Sequence, residues 1–323
     1  MNVRAIHLAA AIGIQLAAGS SLFWSPPAAA QVQPLAFKLA TESNSIMAAK
    51  SRANAADAGF AKFKATVFKE PFPGGVYIVN GDTPIGNDSD LYEFYRREIV
   101  SEWKHAKFGI TLNAATVDLI VDAPNGERVP WDNVLKKNLS YCVSTKFGPN
   151  YQVVVDAMKA ATRAWEQASD VAFIHKQARD GDCHQATEVL FDIRPVNVGG
   201  KYLARAFFPR SPRPERNVLI DDSSFALPKA GKLQLTGILR HELGHTLAFR
   251  HEQTRPEAGA CFEDKDWQPL TSYDAFSVMH YPQCNGLSDW SLLLTDKDKV
   301  GAACLYGPAT PAGFDPANCS GKY

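Results

Sequence analysis

The sequence predicts an α/β (α+β) layer with a mixed sheet, entered from a long N-terminal segment of different character. Three observations predict it. Short apolar runs alternate with one long helical pattern between Trp131 and Ile220, and a leucine-rich helix follows that carries a histidine cluster. All six cysteines fall from Cys142 onward, so the N-terminal segment has no disulfide of its own. Strands and helices in alternation bury their apolar faces against one another and build a layered domain.

Taken in order, residues 1–30 read as a secretory signal peptide. Arg4 and His7 precede an apolar run from Leu8 to Phe23, and Ala28-Ala29-Ala30 supplies the small residues of a cleavage site. Residues 31–130 read as a pro-segment or small accessory domain. Within them Val76–Val79 predicts a strand ending in the turn Asn80-Gly81-Asp82. Leu91 to Phe108 has helical spacing, Thr116 to Val121 reads as a strand, and Asn125-Gly126 marks a turn.

Residues 131–323 form the main domain, with a tail from about 308. Leu139–Ser144 predicts a strand. Val153, Val154, Met158, Ala161 and Trp165 predict a long amphipathic helix. Strands are expected at Val171–Ile174, Val189–Ile193, Tyr202–Phe208 and Asn217–Ile220, and the histidine-bearing helix starts near Leu233. Leu294-Thr295-Asp296-Lys297-Asp298 reads as a capped helix start, with the helix ending near Tyr306-Gly307.

The 323 residues carry 34 basic and 34 acidic side chains, and 46% of them are hydrophobic. Such a balance describes a globular chain and offers no long-range attraction to nucleic acid or anionic membrane. Beyond the first thirty residues no apolar run is long enough for a membrane span, so a secreted or periplasmic protein is expected. An even cysteine count fits an oxidising compartment. Cys142, Cys183, Cys261, Cys284, Cys304 and Cys319 leave fifteen pairings open, with neighbours in order preferred, and none forms a CxxC pair.

The chemistry concentrates in HELGHTLAFRHE, residues 241–252. His241 and His245 are one helical turn apart on one face, while Leu235, Leu239, Leu243 and Leu247 recur on the other. Two imidazoles so placed can share one metal, and Glu242 lies beside it as a carboxylate able to take a proton from water. His251 is too far along to lie on the same face. The helix must therefore end near Ala248 or Phe249 to return a third imidazole to the metal. Three histidines plus an open position is the catalytic zinc pattern, so one Zn2+ is expected.

HELGHTLAFRHEQTRP, continuing through Glu252 to Pro256, resembles the active-site helix and turn of the metzincin zinc endopeptidases, the astacin group in particular. Ser277-Val278-Met279-His280-Tyr281 resembles their Met-turn. The resemblance implies a mixed, mostly parallel twisted sheet, a long backing helix and an active-site helix. It implies that His241, His245 and His251 bind zinc, that Glu242 is the general base and that Met279 floors the metal. It also implies that Tyr281 stabilises an oxyanion and that Glu252 meets a mature amino terminus. His280 matches no ligand position.

Tyr202–Pro209 resembles the edge strand above the metzincin cleft, in its matrixin version, which puts Leu203 and Ala204 against a peptide substrate. Arg205 stands where matrixins have a histidine for a second zinc, so no second zinc is expected there. Val79-Asn80-Gly81-Asp82 is similar to the F-x-G-D of astacin pro-segments, whose aspartate blocks the zinc; the same residues also make an ordinary turn. The expected function is a secreted zinc endopeptidase acting on proteins or peptides. The alternatives are a non-catalytic zinc-containing binding or adhesion protein, suggested by Ala248 in place of the family glycine, and a metallohydrolase with a non-protein substrate.

Overall fold

The computed structural model describes residues 58–100, 119–228 and 231–319. The signal peptide and the beginning of the pro-segment lie outside the described residues, as do the end of the Leu91–Phe108 helix and the start of the Thr116–Val121 strand. Asp57–Tyr323 forms one compact unit.

After a helical stretch at residues 58–66 comes a small antiparallel sheet of β1 (Phe68–Lys69), β2 (Tyr77–Val79) and β3 (Thr83–Ile85) in that order. Asn80 and Gly81 both take positive φ between β2 and β3, the backbone that the Asn-Gly turn signal predicts. Helix α1 (Asp88–Phe94) follows, its Asn87 side chain accepting from Asp90 N, and runs into a π-helical turn at Tyr95–Val100. Next comes β4 (Ile120–Asp122), fully buried.

The main sheet begins with β5 (Leu139–Val143) and continues, after helix α2 (Tyr151–Ala168), with β6 (Phe173–His175) and β7 (Phe191–Val196). Then follow β8 (Ala204–Arg205), β9 (Asn217–Asp221), helix α3 (Leu235–Thr246), β10 (Trp267–Pro269) and helix α4 (Asp296–Tyr306). The strand order is β6-β5-β7-β9-β8. Its first three pairings are parallel and the last, β8 on β9, is antiparallel. This is the mixed, mostly parallel sheet that the sequence leads one to expect. β10 pairs with β4 in a separate antiparallel ribbon.

Helix α2 buries Val154, Ala157, Met158, Ala161, Trp165 and Ala168 along one stripe. Val153, expected in that stripe, is 51% exposed, because it is rotated about 100° from Val154 around the helix axis. Met158 and Trp165 share a core with Leu239, Leu243 and Leu247 of the α3 segment and with Phe191 and Phe207. The expected strand at Tyr202–Phe208 shrinks to two paired residues. Beyond Arg205 the chain turns into the core, where Ala206 and Phe207 are buried.

Helix α4 starts on a capping box, with Thr295 accepting from Asp298 N and Asp298 accepting from Thr295 N. The disulfides join Cys142 to Cys183, Cys261 to Cys284 and Cys304 to Cys319. Among the described residues, no helix is long and apolar enough to cross a membrane.

Candidate metal centre

Helix α3 ends in a Schellman turn. Phe249 N donates to Gly244 O at 2.9 Å and Ala248 N to His245 O at 2.9 Å, with Ala248 at φ 70°. An alanine there costs roughly 1–2 kcal/mol. The turn is held from outside as well: Asp122 N donates to Ala248 O at 2.7 Å and Arg250 N to Ile120 O at 3.0 Å. Strand β4 thus fixes the chain that leaves the helix, and His251 is delivered beside His241 and His245 without a glycine.

The three imidazoles converge. His251 Nε2 lies 3.2 Å from His241 Nε2 and 3.2 Å from His245 Nε2. Each Nδ1 faces an oxygen acceptor: Val278 O at 2.8 Å for His241, Phe249 O at 2.8 Å for His245, and Glu263 Oε1 at 2.6 Å for His251. An Nδ1 facing an acceptor carries the proton, so the three Nε2 lone pairs point at one another.

Asp82 completes the set. Its carboxylate lies 3.2 Å from His251 Nε2, 3.4 Å from His241 Nε2 and 3.7 Å from His245 Nε2, and its Oδ1 has no hydrogen-bond partner. All four residues are buried and their ligand atoms lie within 4.8 Å of one another. Four acceptors facing inward without a donor are satisfied by a cation, and three nitrogens with one carboxylate oxygen suit zinc. The donor set fits one catalytic Zn2+.

The electrostatics agree. Burial opposes the charge on Asp82, yet His251 and His245 hold its carboxyl well below the usual range. Burial pushes His245 down to about 4. His251 is lowered by burial but pushed up to about 10 by Asp82 and Glu263. The cluster therefore demands positive charge, and a dication meets that demand while leaving all three imidazoles neutral.

Met279 is fully buried beneath helix α3, and a Cβ on Gly244 would come within 2.3 Å of its Sδ. The Met-turn is pinned by Asp298, which accepts from Ser277 Oγ at 2.6 Å and Val278 N at 2.9 Å. Tyr281 donates its hydroxyl to Asp82 Oδ2 at 2.6 Å, and its ring lies 4.4 Å from that of His251. Gly81 lets the turn come this close, since a Cβ there would meet the Tyr281 ring at 3.1 Å.

Glu242 is buried with Oε2 unpartnered, and burial followed by the Asp82 charge pushes its carboxyl well above the usual range. It faces a cavity of about 280 Å³ that also touches His241, Tyr281, Leu203, Ala204 and Trp290. Glu252 is buried as well, its Oε1 accepting from Arg255 Nη1 and Asp274 N at 3.1 Å each and its Oε2 unpartnered. His280 bonds to Tyr273 at 2.9 Å and is not one of the clustered metal donors.

Residues 131–258 match the matrixin family model. This segment resembles a metzincin-type zinc metallopeptidase domain. The chain is also 34% identical to the zinc metalloproteinase nas-30 of Caenorhabditis elegans over 73 residues, 17% of this chain and 10% of the relative. It therefore spans about a tenth of that relative's length. A solved structure of the hatching enzyme zinc-protease high choriolytic enzyme 1 from Oryzias latipes is similar at 20% identity and a TM-score of 0.34, over 52% of this chain and 88% of that one.

Several residues of the metzincin-type site carry no signal in the sequence. Glu263 holds His251 by its Nδ1 and also accepts from Gln253 Nε2 at 3.1 Å, while Gln253 Oε1 accepts from Tyr281 N at 3.0 Å. An acidic run that begins two positions after a cysteine belongs to no motif. Arg205, expected to bring no second zinc, is committed elsewhere: it pairs with Glu70 at 2.5 Å.

Proposed function

We propose that the protein is a secreted zinc-dependent endopeptidase, made as a latent chain in which Asp82 occupies the reaction centre. One observation carries the reading: Glu242, a buried carboxylate with a free oxygen, faces the same cavity as the metal donors and the edge strand β8. Three disulfides fit export into an oxidising compartment.

His241, His245 and His251 hold the ion. Zinc, when bound, supplies a Lewis acid that polarises a carbonyl and makes water acidic near neutral pH. Glu242 takes a proton from the attacking water and passes it to the leaving nitrogen. Its place suits that exchange: it is buried beside the metal donors with one oxygen unpartnered. Tyr281, released from Asp82, donates its hydroxyl to the negative charge that develops on the carbonyl oxygen. Leu203 and Ala204 lie at β8, the end strand of the sheet among the described residues, which offers its outer edge to an extended peptide, and the apolar wall around Trp290 and Leu292 takes an apolar side chain.

While Asp82 occupies the centre, neither water nor substrate reaches this arrangement, so the part of residues 31–130 that precedes β4 acts as the latent form's pro-segment, and β4 stays with the site it supports. Glu252, with one buried oxygen unpartnered, is a seat for a cation, and a new amino terminus formed on removal of that segment is the natural occupant. The test is cleavage of an unfolded protein by the zinc-loaded, processed chain. Chelator and Glu242→Ala should each abolish it, with zinc still bound to Glu242→Ala. A zinc-loaded and processed sample that cuts no peptide bond overturns the reading.

A further inference from the structure

We propose that Arg205 and Tyr202 form a carboxylate-binding subsite, filled in this chain by Glu70, that takes an acidic side chain of the substrate in the active enzyme. The proposal rests on the peptidase reading above and names a substrate feature for it.

The Glu70 side chain is fully buried. Its oxygens accept from Arg205 Nε at 2.5 Å, Arg205 Nη2 at 2.9 Å, Tyr202 Oη at 2.5 Å and Val76 N at 3.0 Å. Only the last donor comes from the segment that carries Glu70. The guanidinium is also oriented from behind: its Nη1 donates to Asn217 Oδ1 at 2.8 Å, and Asn217 Nδ2 donates to Pro214 O at 3.2 Å. The seat is therefore assembled by β8, β9 and the residues beside them, independently of its occupant. A planar fork facing two carboxylate oxygens is the geometry that selects arginine over lysine.

Docking alone does not call for such a pair. Val76 and Ile78 already pack on Val198 and Tyr202, and a buried ion pair adds little over well-packed apolar residues. The pair does matter once Glu70 departs. An arginine held by Asn217, without its carboxylate, is an uncompensated cation, and it favours the next peptide that brings one.

That peptide is the substrate, because the seat adjoins the reaction cavity. Tyr202 belongs to both: its hydroxyl meets Glu70, and it lines the cavity that holds Glu242 and His241. Glu70 and Asp82 flank strands of one small sheet: Glu70 directly follows β1, whose Lys69 lies opposite Tyr77 of β2, and Asp82 directly precedes β3. A single peptide segment therefore covers both the metal donors and the Arg205 seat, and an extended substrate along β8 passes both.

The test uses the processed, zinc-loaded enzyme and fluorogenic peptide pairs that differ only by Glu against Gln, placed in turn at each position within four residues of the scissile bond. At one position Glu should raise kcat/KM about tenfold over Gln, the effect of one well-formed charged hydrogen-bond pair. Arg205→Gln should bring that ratio to about one, and Tyr202→Phe, which keeps the ring and its packing, should lower it if Arg205→Gln fails to fold. Equal rates for Glu and Gln at every position, with both peptides cut, overturn this proposal and leave the peptidase reading standing. A preference that survives the substitutions also overturns it. If neither peptide is cut, the peptidase reading fails and this proposal with it.

Discussion

At the scale of single residues, the metal centre is organised by atoms that have no freedom to move. Gly244 shows the tightest case. A methyl group there would lie 2.3 Å from Met279 Sδ and 3.3 Å from the Trp165 ring, both in a filled core. Gly244→Ala should therefore destabilise the fold by about 1–3 kcal/mol, as overpacking does, and denaturant unfolding would read it. An unchanged midpoint would mean that Met279 is free to shift. Ala248 behaves differently. Replacing it by glycine relieves about 1–2 kcal/mol of backbone strain. It also removes a buried methyl worth about 0.8 kcal/mol and adds chain entropy worth about 0.5–1 kcal/mol. Ala248→Gly should accordingly change stability by less than about 1 kcal/mol and leave the reaction as it was. Rescue of a wholly inactive chain by that substitution would show the alanine to be a defect. Tyr281→Phe should lower kcat by about 10²-fold at full zinc occupancy, the usual cost of one oxyanion donor. An undiminished kcat would remove Tyr281 from the chemistry.

At the scale of elements, the parts that were legible in the sequence are those set by spacing within one element. The i, i+4 histidines, the α2 stripe and the Thr295–Asp298 cap each follow from helical periodicity or local capping, and each is found where it was expected except for Val153, which leaves the stripe. The parts that escaped are contacts between distant elements: Glu70 to Arg205 spans 135 positions, and Asp298 reaches back 21 positions to Ser277. No periodicity encodes such pairs. The β2–β3 turn falls between the two cases. Asn80-Gly81 fixes its backbone, but its delivery of Asp82 to three imidazoles depends on the whole small sheet lying against Val198 and Tyr202. Asp82→Asn keeps the turn and removes the charge that the cluster holds. The unprocessed chain carrying it should cleave peptides, with intact mass showing the segment still attached. If that chain stays as silent as the unchanged one, Asp82 is not the latch.

At the scale of the whole molecule, the segment over the site is held by charges whose balance depends on pH. Glu98, buried in the Tyr95–Val100 turn, has its carboxyl pushed from an ordinary 4.5 up to about 7 by burial and then by Asp264 and Asp266, while Arg97 and Arg250 pull it down. Arg97 bonds to Asp266 at 2.8 Å, and Arg250 is shared among Asp264, Asp122 and Glu263. A group whose pKa is raised on folding contributes stability that is fully present below its unfolded value and lost as pH rises through its folded value. For Glu98 that window runs from about 4.5 to about 7. The turn should thus be held firmly in acid and less firmly at neutral pH and above, where the carboxylate faces Asp264 and Asp266 as a like charge. Glu98→Gln stays neutral throughout. Its Tm relative to the unchanged protein should climb as pH is raised from 5 to 8, and proteolytic nicking near residue 98 should lose its pH dependence. A Tm difference that stays flat across that range would show that the Glu98 carboxyl is ionised in the folded chain from the start, with Arg97 and Arg250 outweighing its burial.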